Sequence, residues 1–227
     1  MNETRKIFEY QTWHLILLVA MIIVINLYVT SSSEMLSGIF CGINTKTWFW
    51  LAISIPIIHQ VYVWLIWRFE LYKGSFTKRY GLKLSFKIYA IGFSLLFGSR
   101  LIAIIILAYS NKGTLHINPI FSYVLALLIT PLVIYLFYSV KKYFTIERAY
   151  GIDHFDKHYI VPYLKQGIFK YTDNGMYVFG LMILYLPGLL LLSEAAILAA
   201  AFNHVYIWVH YYFTERPDML KIYGNRP

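Results

Sequence analysis

The stretch WHLILLVAMIIVINLYVT, residues 13–30, decides the fold class of this chain. It carries no charged residue. A helix of this length, rising about 1.5 Å per residue, comes close to the hydrocarbon thickness of a bilayer, about 30 Å. Glu3 and Glu9 precede the stretch and no small-x-small cleavage site follows it, which argues against a secretory signal peptide. We therefore predict a retained membrane helix.

Five further apolar segments follow. They are residues 48–67, 86–109, 119–140, 176–192 and 193–213. Because the segment before the last contains a proline, the final two form either two full crossings or a shorter, bent hairpin. The chain is 59% hydrophobic and only 14% charged, whereas soluble domains are about 45–50% apolar and about 25% charged. This composition excludes a soluble globule and predicts an all-α, multi-pass transmembrane helical bundle.

Two parts of the chain differ in character. Residues 1–140 contain four plain hydrophobic segments, and residues 141–227 contain most of the polar residues. We predict a single membrane domain. Its first part is four transmembrane helices, and its second part is an interfacial segment followed by a C-terminal helical hairpin.

The positions of the basic residues predict how the chain is oriented in the membrane. The chain has 20 basic and 11 acidic residues, for a formal net charge of +9. If all six segments cross, only Lys46 and Lys112 lie on one side, and Arg100 lies within a span. The positive-inside rule then predicts cytoplasmic termini, in a bacterial cytoplasmic membrane or the endoplasmic reticulum. No basic motif with interleaved glycine and aromatic residues is present, so we expect the bilayer as partner and no nucleic acid. A single cysteine, Cys41, excludes an internal disulfide and a cysteine-built metal site.

Arg100 lies near the middle of the third segment, where a charge is costly and faces the bundle interior or a hydrated cavity. It is either a counter-ion for a phosphate or carboxylate arriving from the membrane, or a structural residue bonded to helix-end carbonyls. The sequence leaves both interpretations open. For His59 and Gln60 in the second segment, we expect hydrogen bonds within the bundle.

The stretch DHFDKH, residues 153–158, concentrates titratable groups on the predicted cytoplasmic side. On a helix, His154 and His158 would share one face. A metal site needs three or four ligands, and we predict none here. The ordinary interpretation is a solvated interfacial helix, and the functional one makes both histidines ligands of a substrate headgroup.

A polar and aromatic stripe runs along the last helix. His204, Trp208, Tyr211 and Glu215 have the spacing of one helical face. Aromatic rings and carboxylates both attract cations, so the stripe predicts a cation-binding pocket at the cytoplasmic rim. The alternative is an interfacial aromatic belt with histidines that make interhelical hydrogen bonds. The small residues of AAILAAA, 195–201, predict a close-packing surface.

Two motifs frame the predicted hairpin. GIFKYTDNGMYVFG, residues 167–180, precedes it, and TERPDMLKIYG, residues 214–224, follows it. In order and spacing they resemble the phospholipid N-methyltransferases and, more remotely, the isoprenylcysteine carboxyl methyltransferases of the same membrane superfamily. The residues DNGMY (173–177) match that family's Asp-Asn-Pro-Met-Tyr turn. The residues ERP (215–217) and IYG (222–224) match its Glu-(Glu/Lys)-Pro ending and the Tyr-Gly that follows.

The resemblance covers about residues 145–224. It implies an S-adenosylmethionine cofactor at the cytoplasmic end of the hairpin and a lipid acceptor that arrives laterally. The positions that would border the cofactor lie at the two ends of the hairpin. They are Asn174, Gly175, Met176, Tyr177, Gly180, Glu215 and Arg216. Two of them depart from the family pattern, because Gly175 stands in place of a proline and Arg216 in place of a second glutamate.

Methyl transfer to an ammonium group needs a base that accepts its proton. Glu215 is the first candidate and His210 the second, with His154 and His158 in reserve. A lipid phosphate would be bound by Arg100 or by the basic segment 141–170.

The implied function is methylation of a phospholipid amine, such as that of phosphatidylethanolamine, in phospholipid biosynthesis. A prenylcysteine carboxylate or a small thiol or amine is the alternative acceptor within the same class. A transporter or a non-catalytic membrane binding protein is the alternative from another class. That class predicts inverted-repeat hydropathy, which is not seen, and polar residues at the midplane, whereas most here lie at the rim. The enzyme is therefore favoured.

Overall fold

Helices make up most of the molecule. The computed structural model describes residues 3–32, 35–159, 161–162 and 164–224. It is 78% helical, and four helices are long and apolar enough to cross a membrane. The strands Ile39–Phe40 (β1) and Ile43–Asn44 (β2) form an antiparallel ribbon. These observations confirm an all-α, multi-pass integral membrane protein.

The four long helices correspond to the first four predicted segments. They are α2 (Gln11–Ser31), α3 (Thr45–Lys73), α5 (Leu82–Ser110) and α6 (Pro119–Ser139). Most of them extend beyond the apolar stretches into the polar rims. Asn44 shows why α3 begins early, since its side-chain oxygen accepts a hydrogen bond from the Thr47 amide at 2.8 Å and caps the helix.

Shorter helices complete the chain. They are α1 (Glu3–Ile7), α4 (Thr77–Tyr80), α7 (Ile146–Ala149), α8 (Gly175–Val178), α9 (Leu186–Leu191), α10 (Glu194–His210) and α11 (Arg216–Tyr223). Short segments of 3₁₀ helix span Ile152–His154, Gly167–Lys170 and Gly180–Tyr185. A π-helical turn, Val140–Phe144, extends α6, and a second one, Tyr211–Glu215, joins α10 to α11.

The first arm of the predicted hairpin is an irregular helix. It consists of α8, the 3₁₀ segment Gly180–Tyr185 and α9 rather than one regular helix. Gly180 and Pro187 fit this irregularity, because glycine and proline both disfavour the interior of a helix. The chain turns at Leu192, which has a φ of 52°, and Ser193 caps α10 by accepting from the Ala196 amide at 3.2 Å. The hairpin itself stays a prediction.

Helix α10 lies at the centre of the bundle. It packs against α2, α3 and α5 as well as α9. Its alanines Ala195, Ala196, Ala199 and Ala200 are completely buried. The packing surface predicted from AAILAAA is therefore confirmed, since small side chains let neighbouring helices approach closely.

The bundle has two differently built ends. At one, Asn111 donates to the Met35 carbonyl at 2.8 Å and accepts from Ser193 at 3.0 Å. We call this the opposite end. At the other, which we call the basic end, Arg68 of α3 contacts backbone near the N-terminus and backbone near the end of α10. The basic segments 68–87 and 141–170 belong to this end. Arg226, which adds to the same predicted side, lies outside the described residues.

Candidate active site

A cavity of about 710 Å³ opens at the basic end. Its size is within the range of small-molecule and cofactor sites, about 300–1,000 Å³. The walls come from the end of α3, from the segment after α6 and from both motifs that frame the predicted hairpin. The lining includes Trp67, Phe144, Arg148, Gly151, Asp153, His154, Asp173, Asn174, Met176, Tyr177, Tyr211, Glu215, Arg216, Met219 and Tyr223. The two motifs, distant in sequence, therefore share one cavity.

Tyr177 connects the two motifs directly. Its hydroxyl donates a hydrogen bond to the Glu215 carboxylate. Its ring packs edge-on against Trp208 and Tyr211, with centroid distances of 5.9 and 5.8 Å. Three members of the predicted stripe thus surround one tyrosine, and they present aromatic rings and a carboxylate, the groups that attract a cation.

Glu215 is the most perturbed carboxyl group of the cavity wall. Enclosure by protein raises its pKa to about 7, although the hydrogen bond from Tyr177 acts in the opposite direction. A buried carboxyl group disfavours its charged form, which is why the pKa rises. Glu215 therefore changes charge close to neutral pH, as a general base requires.

A buried ion-pair network forms the floor of the cavity. Arg68 Nε lies 3.1 Å from Asp218 Oδ1, and both side chains are at most 1% exposed. His154 Nδ1 lies 3.1 Å from Asp153 Oδ1, and its Nε2 lies 3.7 Å from Asp218 Oδ2. Tyr223 donates to Asp153 at 3.0 Å. The network ties α3, α11 and the segment around residue 153 together.

The network fixes the charge of His154. Burial lowers the pKa of this histidine, but hydrogen bonds and charges from Asp153 and Asp218 outweigh burial and raise it to about 9. Burial acts to raise the pKa of Asp153, and the hydrogen bonds from His154 and Tyr223 turn the net shift downward. At neutral pH His154 is therefore a cation held between carboxylates, which does not suit a reserve base.

The predicted interfacial helix over residues 153–158 is wrong. A 3₁₀ segment ends at His154, and the chain then turns. Asp153 and His154 are buried, whereas His158 is exposed. The side chain of His154 is held in the interior by its ion pair with the Asp218 carboxylate and by stacking on Trp67, with ring centroids 4.0 Å apart. The two histidines therefore do not share a face.

Gly151 lets the chain approach Trp67 at this point. Its φ is +78°, and a Cβ there would lie 2.5 Å from Cζ2 of Trp67. Any side chain would both strain the backbone and collide with the ring. The glycine therefore positions the segment that carries Asp153 and His154 against α3.

The cavity gathers most of the predicted site residues, though not all. Among the described lining residues are Asn174, Met176, Tyr177, His154, Glu215 and Arg216. Gly175 and Gly180 are buried behind them. A Cβ on Gly180 would lie 2.8 Å from Leu136 of α6, and one on Gly175 would lie 3.3 Å from Phe169. Both glycines therefore serve the close packing of this segment.

The remaining predicted residues lie deeper in the bundle or at the surface. His210 is 2% exposed, and its ring lies 6.0 Å from Trp67 and 6.2 Å from His14. Arg100 lines a separate small cavity between α5, α6 and the segment Gly180–Tyr185. Neither these two residues nor His158 is among the described residues of the large cavity's wall.

Several lining residues escaped the sequence analysis as site residues. Asp153 and Arg148 lie in a polar segment in which neither residue belongs to a recognisable motif. Trp67 ends an apolar segment and looked like an ordinary interfacial tryptophan. Of the missed residues, Tyr223 carried a usable signal, because it belongs to the Tyr-Gly ending of the second motif.

The family comparison agrees with this geometry. Residues 117–226 match the family model of the phospholipid methyltransferases. The matched range contains both motifs and most of the cavity wall. It confirms the stated resemblance over these residues. Comparison with curated proteins and with solved structures gives no significant match.

Proposed function

We propose that this protein uses S-adenosylmethionine to methylate the amine of a membrane phospholipid, such as phosphatidylethanolamine. The observation that carries the proposal is the Tyr177–Glu215 pair in the wall of the large cavity, with a carboxyl group whose pKa is about 7. A sulfonium donor and an ammonium acceptor are both cations, and this wall suits both.

The side chains around the cavity fit the proposed cofactor. Asp153, Asp173 and Glu215 supply negative charge, and Trp67 and Tyr211 supply aromatic faces. These groups favour a sulfonium and an α-amino group. The guanidinium groups of Arg148 and Arg216, also in the wall, suit the cofactor's carboxylate, which they can bind in a forked geometry. In this proposal Asn174, Met176 and Tyr177 border the cofactor, and Gly175 and Gly180 hold their segment in place.

The chemistry requires little beyond positioning and one proton transfer. S-adenosylmethionine, when bound, supplies an electrophilic methyl group on sulfur and leaves as a neutral thioether. Glu215, as a carboxylate, takes the proton of the lipid ammonium and frees the nitrogen lone pair. A cofactor held against Tyr211 and Arg216 would supply the methyl carbon that this nitrogen attacks. Tyr177 orients Glu215, and the enclosed wall holds the two reactants in line.

The proposed arrangement in the membrane puts the cavity at the cytoplasmic face. The basic end, with both termini, faces the cytoplasm in this proposal, as the positive-inside rule predicts. The lipid reaches the site laterally through the bundle, and its phosphate is bound by Arg100. Charged His154 holds the cavity floor near the headgroup, and exposed His158 meets the surrounding headgroup layer. In this proposal Glu215 is the base. The sequence had offered Glu215 as the first candidate for this role and His210 as the second.

Binding of S-adenosylmethionine to detergent-purified protein tests the proposal. Isothermal titration calorimetry is expected to detect binding to the wild type, with affinity at least tenfold lower in Glu215→Ala. Glu147→Ala is the matched control, because Glu147 is an exposed carboxylate at the same end. Absence of binding, or equal binding by both variants, would overturn the assignment. Labelled cofactor with phosphatidylethanolamine, prenylcysteine or a small thiol as separate acceptors then identifies the substrate.

A further inference from the structure

The π-helical turn Tyr211–Glu215, which ends at the proposed base, leaves one backbone carbonyl without its ordinary helical partner. In an α-helix the carbonyl of Phe213 would accept a hydrogen bond from the amide of residue 217. Residue 217 is a proline, which has no backbone N–H. The Phe213 carbonyl is therefore open to donors from neighbouring helices. Such π-helical turns are rare, and those that occur are frequently found at functional sites.

Two side chains from the first part of the chain donate to this turn. Nε2 of Gln11, the first residue of α2, donates to the Phe213 carbonyl at 3.0 Å and to the Thr214 hydroxyl at 3.2 Å. Nη2 of Arg68, on α3, donates to the same carbonyl, also at 3.0 Å. Thr214 is fully buried and directly precedes Glu215. Helices α2 and α3 therefore hold the backbone immediately before the proposed base.

The directions of the hydrogen bonds around Gln11 follow from the Phe213 carbonyl. Because a carbonyl only accepts, the amide nitrogen of Gln11 faces Phe213, and its Oε1 faces Nδ1 of His14 at 3.1 Å. Nδ1 therefore carries a proton, and Nε2 of the neutral ring accepts from the Tyr206 hydroxyl at 2.9 Å. The His14 and Tyr206 side chains are both buried. A continuous chain of hydrogen bonds thus runs from α10 through α2 to the π-helical turn.

The carboxyl group of Glu215 is held by other elements. Tyr177 of α8 donates a hydrogen bond to it. The titratable groups whose charges interact with it come from the segment around residue 153, from α11 and from α5, and they are Asp153, His154, Asp218 and Tyr89. Gln11 makes its hydrogen bonds to the turn and to His14 instead. Gln11 therefore acts on Glu215 through the backbone of the turn and not through its carboxylate.

We propose that Gln11, oriented by His14, is a positioning residue that aims the Glu215 carboxylate into the large cavity. The inference rests on the proposed function and deepens it, because it names what sets the geometry of the proposed base. A displacement of a reacting group by about 1 Å can lower a rate roughly a hundredfold. Gln11 lies outside residues 117–226, the range that matches the family model. The chain before that range therefore helps to build the site as well as to span the membrane.

Gln11→Met tests this role, because methionine keeps the length of the side chain and removes its hydrogen bonds. Once the turn is released, Glu215 should meet more water, and its pKa should fall from about 7 to roughly 6 or lower, toward its ordinary value of 4.5. Infrared titration of the detergent-purified protein, with the carboxyl band assigned by Glu215→Gln, measures this pKa without any cofactor. A purely structural role of Gln11 would lower the unfolding temperature and leave this pKa unchanged.

The affinity for S-adenosylmethionine provides the second measurement. In the wild type it should rise between pH 6 and pH 8, as the Glu215 carboxylate forms. In Gln11→Met the carboxylate is already formed at pH 6 but is poorly aimed. Its affinity should therefore be weaker by about fivefold at pH 8 and should keep only the pH dependence seen in Glu215→Gln.

Two further variants serve as control and as second test. Asn26→Leu removes an exposed side-chain amide of the same helix and should leave both measurements at their wild-type values. Thr214→Val removes one of the two acceptors of Gln11 in the turn and should shift both measurements in the same direction by less. Wild-type values of both quantities in Gln11→Met would overturn the proposal. If Gln11→Met does not fold, wild-type values in Thr214→Val would overturn it.

The two measurements separate this inference from the proposed function. A lowered pKa of Glu215 in Gln11→Met, together with a wild type that does not bind S-adenosylmethionine, would contradict the proposed function alone. Cofactor binding that depends on Glu215, together with an unchanged pKa and pH profile in Gln11→Met, would contradict the positioning role alone.

Discussion

Two buried groups of basic residues in this molecule have opposite environments. At the basic end, Arg68 and His154 lie among Asp218, Asp153 and backbone carbonyls. In the middle of the bundle, His59, Arg100 and His210 have donor atoms without partners among the described residues. The first group lies against carboxylates, although Nε2 of His154 has only an ion pair with Asp218, at 3.7 Å, and no hydrogen bond. In the second group, both ring nitrogens of His59 and of His210, and Nε and Nη2 of Arg100, have no hydrogen-bond partner among the described residues.

This difference distinguishes basic residues that stabilise the fold from basic residues that do not. A buried charge with partners stabilises one arrangement of helices, and loss of one partner leaves the other uncompensated. A buried donor without a partner reduces the stability of the protein, and folded proteins retain few such groups. We therefore expect substitutions in the two groups to have opposite effects on stability.

The largest effect is expected at Asp218. Asp218→Ala leaves Arg68 buried without its carboxylate, which should cost about 3–5 kcal/mol of the free energy of unfolding. Arg100→Met, in contrast, should leave stability unchanged or raise it, because it removes unpaired donors from the interior. Thermal unfolding in detergent measures both. A more stable Asp218→Ala or a strongly destabilised Arg100→Met would remove the distinction between the groups.

A smaller loss is expected at Gly151. Gly151→Ala places a Cβ against Trp67 and gives an alanine a left-handed conformation, which should cost about 1–3 kcal/mol. Gly113→Ala is the matched control. Gly113 also has a positive φ, of 82°, but its Cβ would have no neighbour within 4 Å. Equal losses in the two variants would show that the contact with Trp67 does not matter.

The smallest effect concerns pH. The pKa of His154 is raised to about 9 in the folded protein, from about 6.5 in the unfolded chain. Its contribution to stability is therefore complete below about pH 6.5 and is lost as pH rises through about 9. The unfolding temperature should therefore fall as pH rises across this range. The fall should be weaker in Asp153→Asn, and an identical profile in that variant would contradict the assigned charge.

The four long spans could be predicted from the sequence to within a few residues. An uninterrupted apolar run fixes both the type and the length of a membrane helix. The cavity was partly predictable, because the motifs around Tyr177 and Glu215 carry a recognisable order. The stripe of Trp208, Tyr211 and Glu215 followed from helical spacing alone.

The tertiary partners could not be predicted. Arg68 and Asp218 are 150 positions apart, and neither stands in a pattern that suggests the other. Arg68 looked like one more basic residue at a membrane rim. The missing partners of His59 were equally hidden, since a polar residue in a span usually bonds within its bundle. Both properties depend on how α3, α5, α10 and α11 pack.

The central claim is that the Glu215 carboxylate contributes to binding a cationic cofactor. Its most direct test is the affinity for S-adenosylmethionine measured between pH 6 and pH 8 in wild type and Glu215→Gln. Because the pKa of Glu215 is about 7, the wild type should bind more tightly as pH rises and the carboxylate forms. Glu215→Gln should bind more weakly and lack this component, while keeping any dependence that comes from the cofactor itself. Parallel pH profiles in the two proteins would contradict the account.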